Sequence, residues 1–536
     1  MNLIILLLIV LSIVAVVLSS SLLSSSEVIP SIWPQPNVFK YGERSSSVSS
    51  SLSFKTVNGD VTTLEKAYQR YSNNMFKHSV NTDSNANIKE VLVHVTDNDE
   101  SYPQLDTDES YELIINDKII INSRTVYGAL RALESLSQLV MYDFDTKSYQ
   151  IVGLPILIED APRYKHRGLL LDTSRHFQPV DFIKRTIDGI SYAKLNVFHW
   201  HVVDTQSFPF QSLTFPKLWD GAFTKAERYS REDVIDIVEY GRLRGIKVMI
   251  ELDIPGHAGS WCKGYPEICP STTCLQPLNP SNEETFKLIS SLLGECTGNE
   301  KGKGIFPYDF LHLGGDEVDY TCWEESAEIL AWEQTMNFNG SEAVYEYFVD
   351  RAATIARSQA RTPVQWVEVY EHFTNKLSND TVVHVWKEKE TMTKVIMDGY
   401  RTILSDQDVW YLDHLNVSWE SFYLNEPTAE LPDDANANLI LGGEACMWGE
   451  TVDPSDVDAT IFPRVAAFAE RMWTSQAIIL PESTFWLPNN HDAIEDRLEQ
   501  FRCLLQERAI GAAPVRNQKA REAPPKPGSC FVQRRK

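Results

Sequence analysis

No cysteine precedes Cys262 in this chain of 536 residues, and positive charge is scarce: 49 Lys and Arg stand against 74 Asp and Glu, a formal net charge of −25. That deficit excludes polyanionic partners, so neither nucleic acid nor an anionic membrane surface is expected to bind. A neutral ligand, or an acidic compartment in which some carboxylates protonate, fits the balance better. Long apolar runs are missing after Leu18, so no membrane span is expected in the mature chain. The run that does exist, Leu3 to Leu18, is shorter than the roughly 20 residues a spanning helix needs and dissolves into the Ser-rich stretch Ser19–Ser26. It reads as a secretory signal peptide over about residues 1–20, with an uncleaved anchor as the alternative.

Export makes disulfides possible among Cys262, Cys269, Cys274, Cys296, Cys322, Cys446, Cys503 and Cys530, although their spacing alone leaves the pairing open. Three glycosylation sequons, at Asn339, Asn379 and Asn416, agree with a secretory route.

With 43% hydrophobic residues the chain has material for a large core and more than one domain. Residues 27–162 alternate strand-like runs (Glu90–Val95, Tyr111–Ile121) with a helical one (Thr125–Leu139), the pattern of a small α/β domain. Pro162, in Asp160-Ala-Pro-Arg163, marks the junction. Beyond it come eight short apolar runs: Gly168–Asp172, Asn196–Val203, Lys247–Leu252, Phe310–Leu313, Thr362–Val369, Val382–Trp386, Thr402–Leu412 and Leu439–Met447. Most are separated by stretches long enough for helices, so residues 163–510 are expected to close a (β/α)8 TIM barrel, followed by a tail over 511–536. An open doubly wound sheet would also alternate, but it would place its ligand at one switch point, often beside a Gly-rich phosphate loop.

Here polar and aromatic residues recur at the end of nearly every run. In order they are Arg167; Asp204; His257; Asp316 and Glu317; Trp366 and Glu368; Trp386; Trp410, Tyr411 and Asp413; and Trp448 and Glu450. Aromatic walls with carboxylate and guanidinium partners suit a sugar, whose C–H faces stack on rings while its hydroxyls need charged acceptors and donors.

These residues lie in His166-Arg-Gly, Asp172-Thr-Ser-Arg-His176, His199-Trp-His-Val-Val-Asp204, Pro255-Gly-His257, His312-Leu-Gly-Gly-Asp-Glu-Val318, Trp410-Tyr-Leu-Asp413 and Gly442-Gly-Glu-Ala-Cys-Met-Trp-Gly-Glu450. In these motifs and their order the chain resembles family 20 glycoside hydrolases, the β-N-acetylhexosaminidases, and among them the eukaryotic lysosomal group. The resemblance implies that Glu317 protonates the leaving oxygen and then activates water. Asp316 would hold the substrate's acetamide N–H, and Tyr411 would donate to the acetamide oxygen. Arg167 and Glu450 would grip sugar hydroxyls, Trp366, Trp386, Trp410 and Trp448 would line the pocket, and Asp204 with His257 would tune Glu317. It further implies Cys274–Cys322 and Cys503–Cys530 disulfides, no cofactor and no metal, a glycan end as substrate, a homodimer, and a lysosomal location with release from the cell as a second destination.

Adjacent acids make chemical sense in such an enzyme. Most retaining glycosidases straddle the anomeric carbon with two carboxylates about 5 Å apart, whereas this family is a substrate-assisted exception. The substrate's own acetamide oxygen attacks, so the protein needs a proton donor with a raised pKa and, beside it, an ionised acid. Gly314 and Gly315 would turn the backbone so that both acids reach one sugar. Asp413, followed by His414, would disfavour 6-sulfated sugars by repulsion. For Glu368, His176, Arg175 and Glu470 an ordinary structural role stays open, and they are left out of the site. Two other functions remain open: a metal-dependent hydrolase built on His199-x-His201, and an inactive glycan-binding barrel.

Overall fold

The computed structural model describes residues 29–57, 59–80, 86–374 and 376–515. The expected signal peptide and most of the expected tail, with Cys530 and its pairing, lie outside the described residues.

Alternation of buried and partly buried side chains, seen over 91–95 and 119–123, builds a sheet with one covered face. Its strands are β1 (Val38–Thr56), β2 (Ile88–Asp97), β3 (Tyr111–Ile115), β4 (Ile119–Thr125), β5 (Met141–Asp143) and β6 (Ser148–Asp160), in the order β1-β2-β4-β3-β6-β5. The run 111–121, which reads as one extended segment, is a hairpin turning between Asn116 and Lys118. Helices α1 (Thr62–Met75) and α2 (Val126–Leu139) cover the sheet with their apolar faces, and Thr125 caps α2 by accepting from the Gly128 N–H.

Eight parallel strands then close a barrel: β7 (His166–Asp172), β8 (Val197–Val203), β9 (Lys247–Leu252), β10 (Phe310–His312), β11 (Thr362–Trp366), β12 (Val382–Val385), β13 (Arg401–Leu404) and β14 (Ile440–Met447). Around and after them run α3 (Val180–Tyr192), α4 (Arg231–Arg242), α5 (Glu283–Thr297), α6 (Ser341–Ser358), α7 (Val367–Phe373), α8 (Lys389–Met397), α9 (Arg464–Trp473) and α10 (Pro488–Glu507). Two expected strands stop more than one residue short of their apolar runs. β11 stops at Trp366, where α7 begins, and β13 stops at Leu404, after which Asp406 caps a short helix, Gln407–Trp410, through the Asp408 N–H (3.1 Å).

Alternation along the strands fills the barrel in layers. Val197, Met249, Phe310, Val364, Val382 and Ile403 form an apolar floor. Above it lies a polar layer of His199, Glu251, His312, His384 and Glu444, all fully buried. Leu170, Cys446 and Trp366 lie toward the mouth.

Buried carboxylates of the sheet domain fasten it to the rest of the chain: Asp160 accepts from Lys194 and Trp473, Glu134 from Arg508, and Glu109 gathers a cluster near the N-terminal ends of the barrel strands. Glu109 accepts from Arg131 of α2 (2.8 Å), twice from Arg167 of β7 (2.8 Å each) and from Asn196 (2.7 Å). Burial alone would raise the Glu109 pKa, but Arg167, Arg131 and Lys247 outweigh it and bring it to about 2. Substitution Glu109→Ala strands two buried guanidinium groups, and chemical denaturation should show a loss of about 3–5 kcal/mol.

Candidate active site

The loop after β10 carries the acid pair in a backbone conformation that the sequence prepares. Gly314, Gly315 and Glu317 all have positive φ, at 64°, 99° and 48°. A Cβ on Gly314 would sit 1.7 Å from Asp253 Oδ1, so only glycine fits there. Asp253 Oδ1 accepts from the Gly315 N–H (2.9 Å), Trp366 N–H donates to the Gly314 carbonyl (3.0 Å), and Tyr345 Oη donates to the Gly315 carbonyl. The turn brings both acids to one imidazole: His257 Nε2 lies 3.6 Å from Asp316 Oδ2 and 3.6 Å from Glu317 Oε2. Asp316 is largely buried and its Oδ1 has no partner among the described residues, whereas Glu317 is mostly exposed.

Behind His257 the contacts run into the barrel. His257 Nδ1 lies 3.2 Å from Asp204 Oδ1, His201 Nε2 is 2.8 Å from Asp204 Oδ2, and His201 Nδ1 is 2.6 Å from Glu251 Oε2. Burial would lower the proton affinity of His257, but Asp316, Asp253, Asp204 and Glu317 outweigh it and hold the ring as a cation. His201 is pushed well above its ordinary value in the same way, by Glu251 and Asp204 against burial. Burial works to raise Asp204, yet His201, His257 and Arg175 keep it far below the usual carboxylate range.

This column alters one expectation. In the free site the Glu317 pKa is lowered, first by the His257 imidazole 3.6 Å away, with burial working the other way. Raised values fall instead on carboxyls around it: burial and Asp316 raise Asp253, and burial, helped by Asp316, pushes Glu368 up to about 7. Both Glu368 oxygens accept from Trp386 Nε1 (3.1 Å each), and Lys387 Nζ lies 3.3 Å away.

The walls are one aromatic cluster: Trp366, Trp386, Tyr411 and Trp448 pack around Leu170 and Cys446. Trp366 donates to Glu251 Oε1 (2.7 Å), so the hub of the histidine column also fixes the floor of the pocket. Tyr411 reaches the cluster because Leu412 N–H donates to the Cys446 carbonyl (2.7 Å), continuing the pairing beyond the short β13. Asp413 and Glu450 stand at the rim, where burial raises both carboxyls.

Two expected site residues are elsewhere. Arg167 is near the start of β7 and faces away from the barrel axis, fully buried on Glu109 at the opposite end from the acid pair. Trp410 is fully buried against Phe468 and donates to the Phe422 carbonyl (3.3 Å), which makes it core. The guanidinium that does face the site is Arg175, beyond the C-terminal end of β7. It pairs with Asp204 (2.8 Å) and Asp172 (3.1 Å) and lies over the Trp448 ring (5.2 Å). The available signal was its place after the strand. His199 and His201 point into the barrel, but His199 is held by Glu444 and Glu251, and both nitrogens of His201 are engaged. Disulfides Cys274–Cys322 and Cys262–Cys269 brace the loops beside the acid pair, and Cys296 and Cys446 are buried thiols.

Residues 164–476 match the model of the glycosyl hydrolase family 20 catalytic domain, and residues 32–139 match a domain described as beta-acetyl hexosaminidase like. The chain belongs to glycosyl hydrolase family 20. Within that family it is 43% identical to beta-hexosaminidase 1 of Arabidopsis thaliana, over 95% of this chain and 96% of that one. It is 33% identical to the human beta-hexosaminidase subunit beta, over 91% and 89% of the two chains. A crystal structure of Flavobacterium johnsoniae chitobiase, also of family 20, superposes with a TM-score of 0.76 at 29% identity, covering 89% of this chain and 73% of that one.

The two arginines give opposite expectations. Arg175→Ala should lower kcat/KM by about 10- to 100-fold, chiefly through KM, as loss of a charged contact implies. Arg167→Ala should lower the melting temperature and leave KM of the folded fraction unchanged.

Proposed function

We propose that this family 20 hydrolase is an exo-acting, retaining β-N-acetylhexosaminidase that removes terminal N-acetylglucosamine or N-acetylgalactosamine through an oxazolinium intermediate. The observation that carries the reading is the shared approach of Asp316 and Glu317 to His257 at the mouth of an aromatic pocket. Two neighbouring acids on one wall cannot straddle an anomeric carbon. They can serve a substrate that supplies its own nucleophile.

In this scheme Glu317 gives its proton to the leaving oxygen, and the acetamide oxygen attacks the anomeric carbon as the C–O bond breaks. Asp316, with an unpartnered oxygen facing the need for an N–H donor, stabilises the positive charge, and Tyr411 orients the acetamide. Glu317 then takes a proton from water as the ring opens. His257 and Asp204 position Glu317; Arg175, Asp413 and Glu450 bind sugar hydroxyls. Trp366, Trp386 and Trp448 exclude water and stack on the ring. Glu368, neutral below about pH 7, steadies Trp386 without adding charge beside Asp316.

Because Glu317 must be protonated to act and His257 weakens its hold on the proton, the active fraction falls as pH rises through a range below the ordinary carboxylate value. That suits an acidic compartment such as the lysosome, reached through the secretory route. Glu317→Gln should cost at least about 10²-fold in rate. N-acetylglucosamine-thiazoline should inhibit the native enzyme, and no inhibition would refute acetamide participation. In His257→Asn the descending limb of kcat/KM should move to higher pH.

Asp413 also sets specificity. Its carboxyl should repel a 6-sulfate, so an unsulfated aryl N-acetylglucosaminide should turn over faster than its 6-sulfated form. His414 lies 4.0 Å away, and the discrimination should grow as pH rises and Asp413 ionises. Equal turnover across the range would overturn this assignment.

A further inference from the structure

On the outer wall of the barrel, helix α6 has 18 residues and its neighbour α7 only seven. Beside α6 runs the segment 376–378 instead of a helix, with Lys376 paired to Glu346 (2.6 Å), and a groove of about 400 Å³ lies there. Phe338, Tyr347, Val349, Val369, Phe373 and Leu377 supply its apolar lining. Among them stands Gln365 of β11, which lies between two inward-facing residues and so points out of the barrel into a layer that is normally apolar. Its side chain is almost completely buried, and Oε1 has no hydrogen-bond partner among the described residues. A buried carbonyl oxygen at a cavity wall calls for a donor.

The groove ends at a glycosylation sequon. Asn379 is exposed and directly follows Ser378, which lines the cavity. The rest of the sequon is docked onto the lining residue Arg357: Nε donates to Asp380 Oδ1 (2.9 Å), and the guanidinium also donates to Thr381 Oγ1 (2.8 Å). A sugar attached at Asn379 therefore starts at the lip of a groove that has rings for its C–H face and an acceptor for an amide N–H.

We propose that this groove holds the chain's own N-glycan. The proximal N-acetylglucosamine on Asn379 covers Tyr347 and Phe373, and its acetamide N–H donates to Gln365 Oε1. The bound sugar stiffens the wall behind the acid loop, because Val349 and Val369 line the groove and also back Gly315; a Cβ on Gly315 would meet Val369 at 2.7 Å and Val349 at 3.9 Å. The proposal rests on the secretory route and not on the hydrolase reading.

The test uses the full chain secreted from eukaryotic cells, with glycopeptide mass spectrometry at Asn339, Asn379 and Asn416. The expected result is occupancy of Asn379, and a melting temperature about 2 °C lower in Asn379→Gln, on the order expected for one added contact set in a large domain. Trimming to a single N-acetylglucosamine with an endoglycosidase should keep the native value. Hydrogen exchange should show faster opening of 343–357 and 373–378 in Asn379→Gln, and no change there in Asn339→Gln. In a Tyr347→Ala background the effect of Asn379→Gln should vanish, since the sugar has lost its platform. An unoccupied Asn379 overturns the proposal. If Asn339 and Asn416 are unoccupied too, the secretory reading falls with it. Occupancy with unchanged exchange and melting also overturns it, and shows a sugar that stands free in solvent.

Discussion

The geometry of the candidate site depends on a column of alternating charge, Glu251, His201, Asp204 and His257, that rises from the barrel core to the acid pair. Each member is held by a neighbour of opposite sign, so none is an isolated charge in a region without water. The same column fixes geometry. Glu251 also accepts from Trp366, so the floor of the aromatic pocket and the imidazole beneath the acids are set by one buried carboxylate.

A barrel usually fills its interior with branched apolar side chains. Here only the lowest layer follows that rule, and the layer above is made of histidine and glutamate. The substitution costs hydrophobic burial and demands that every polar group find a partner. In return the site receives a rigid set of charges whose positions do not depend on loops. The loop that does matter is itself forced: Gly314 cannot carry a side chain against Asp253, and the resulting turn presents consecutive residues to the same imidazole.

Much of this was legible in the sequence. Eight apolar runs with chemistry at their ends gave the barrel, and two glycines before two acids gave the turn. Where sequence and structure part, the cause is shared: position along a strand places a side chain only together with its parity and direction. Arg167 precedes the apolar run and has outward parity, so it belongs to the domain interface, while Arg175, eight residues on and beyond the strand end, reaches the mouth. Trp410 is core because the apolar run across 402–412 contains a helix that turns the indole inward. The proton affinity of Glu317 could not be read at all, since it depends on an imidazolium sixty residues away in sequence whose charge depends in turn on three further groups.

The Glu109 junction bears on what counts as the functional unit. The barrel presents Arg167, with Asn196 beside it, to a carboxylate that it does not own, and the sheet domain lends Arg131 to the same cluster. A barrel cut free at the Asp160–Arg163 linker would expose a buried cation near the root of its first strand. The two segments are therefore one inheritable piece: the smaller domain cannot be shed, swapped or replaced by a tag without a compensating acid, even though it adds no group to the site.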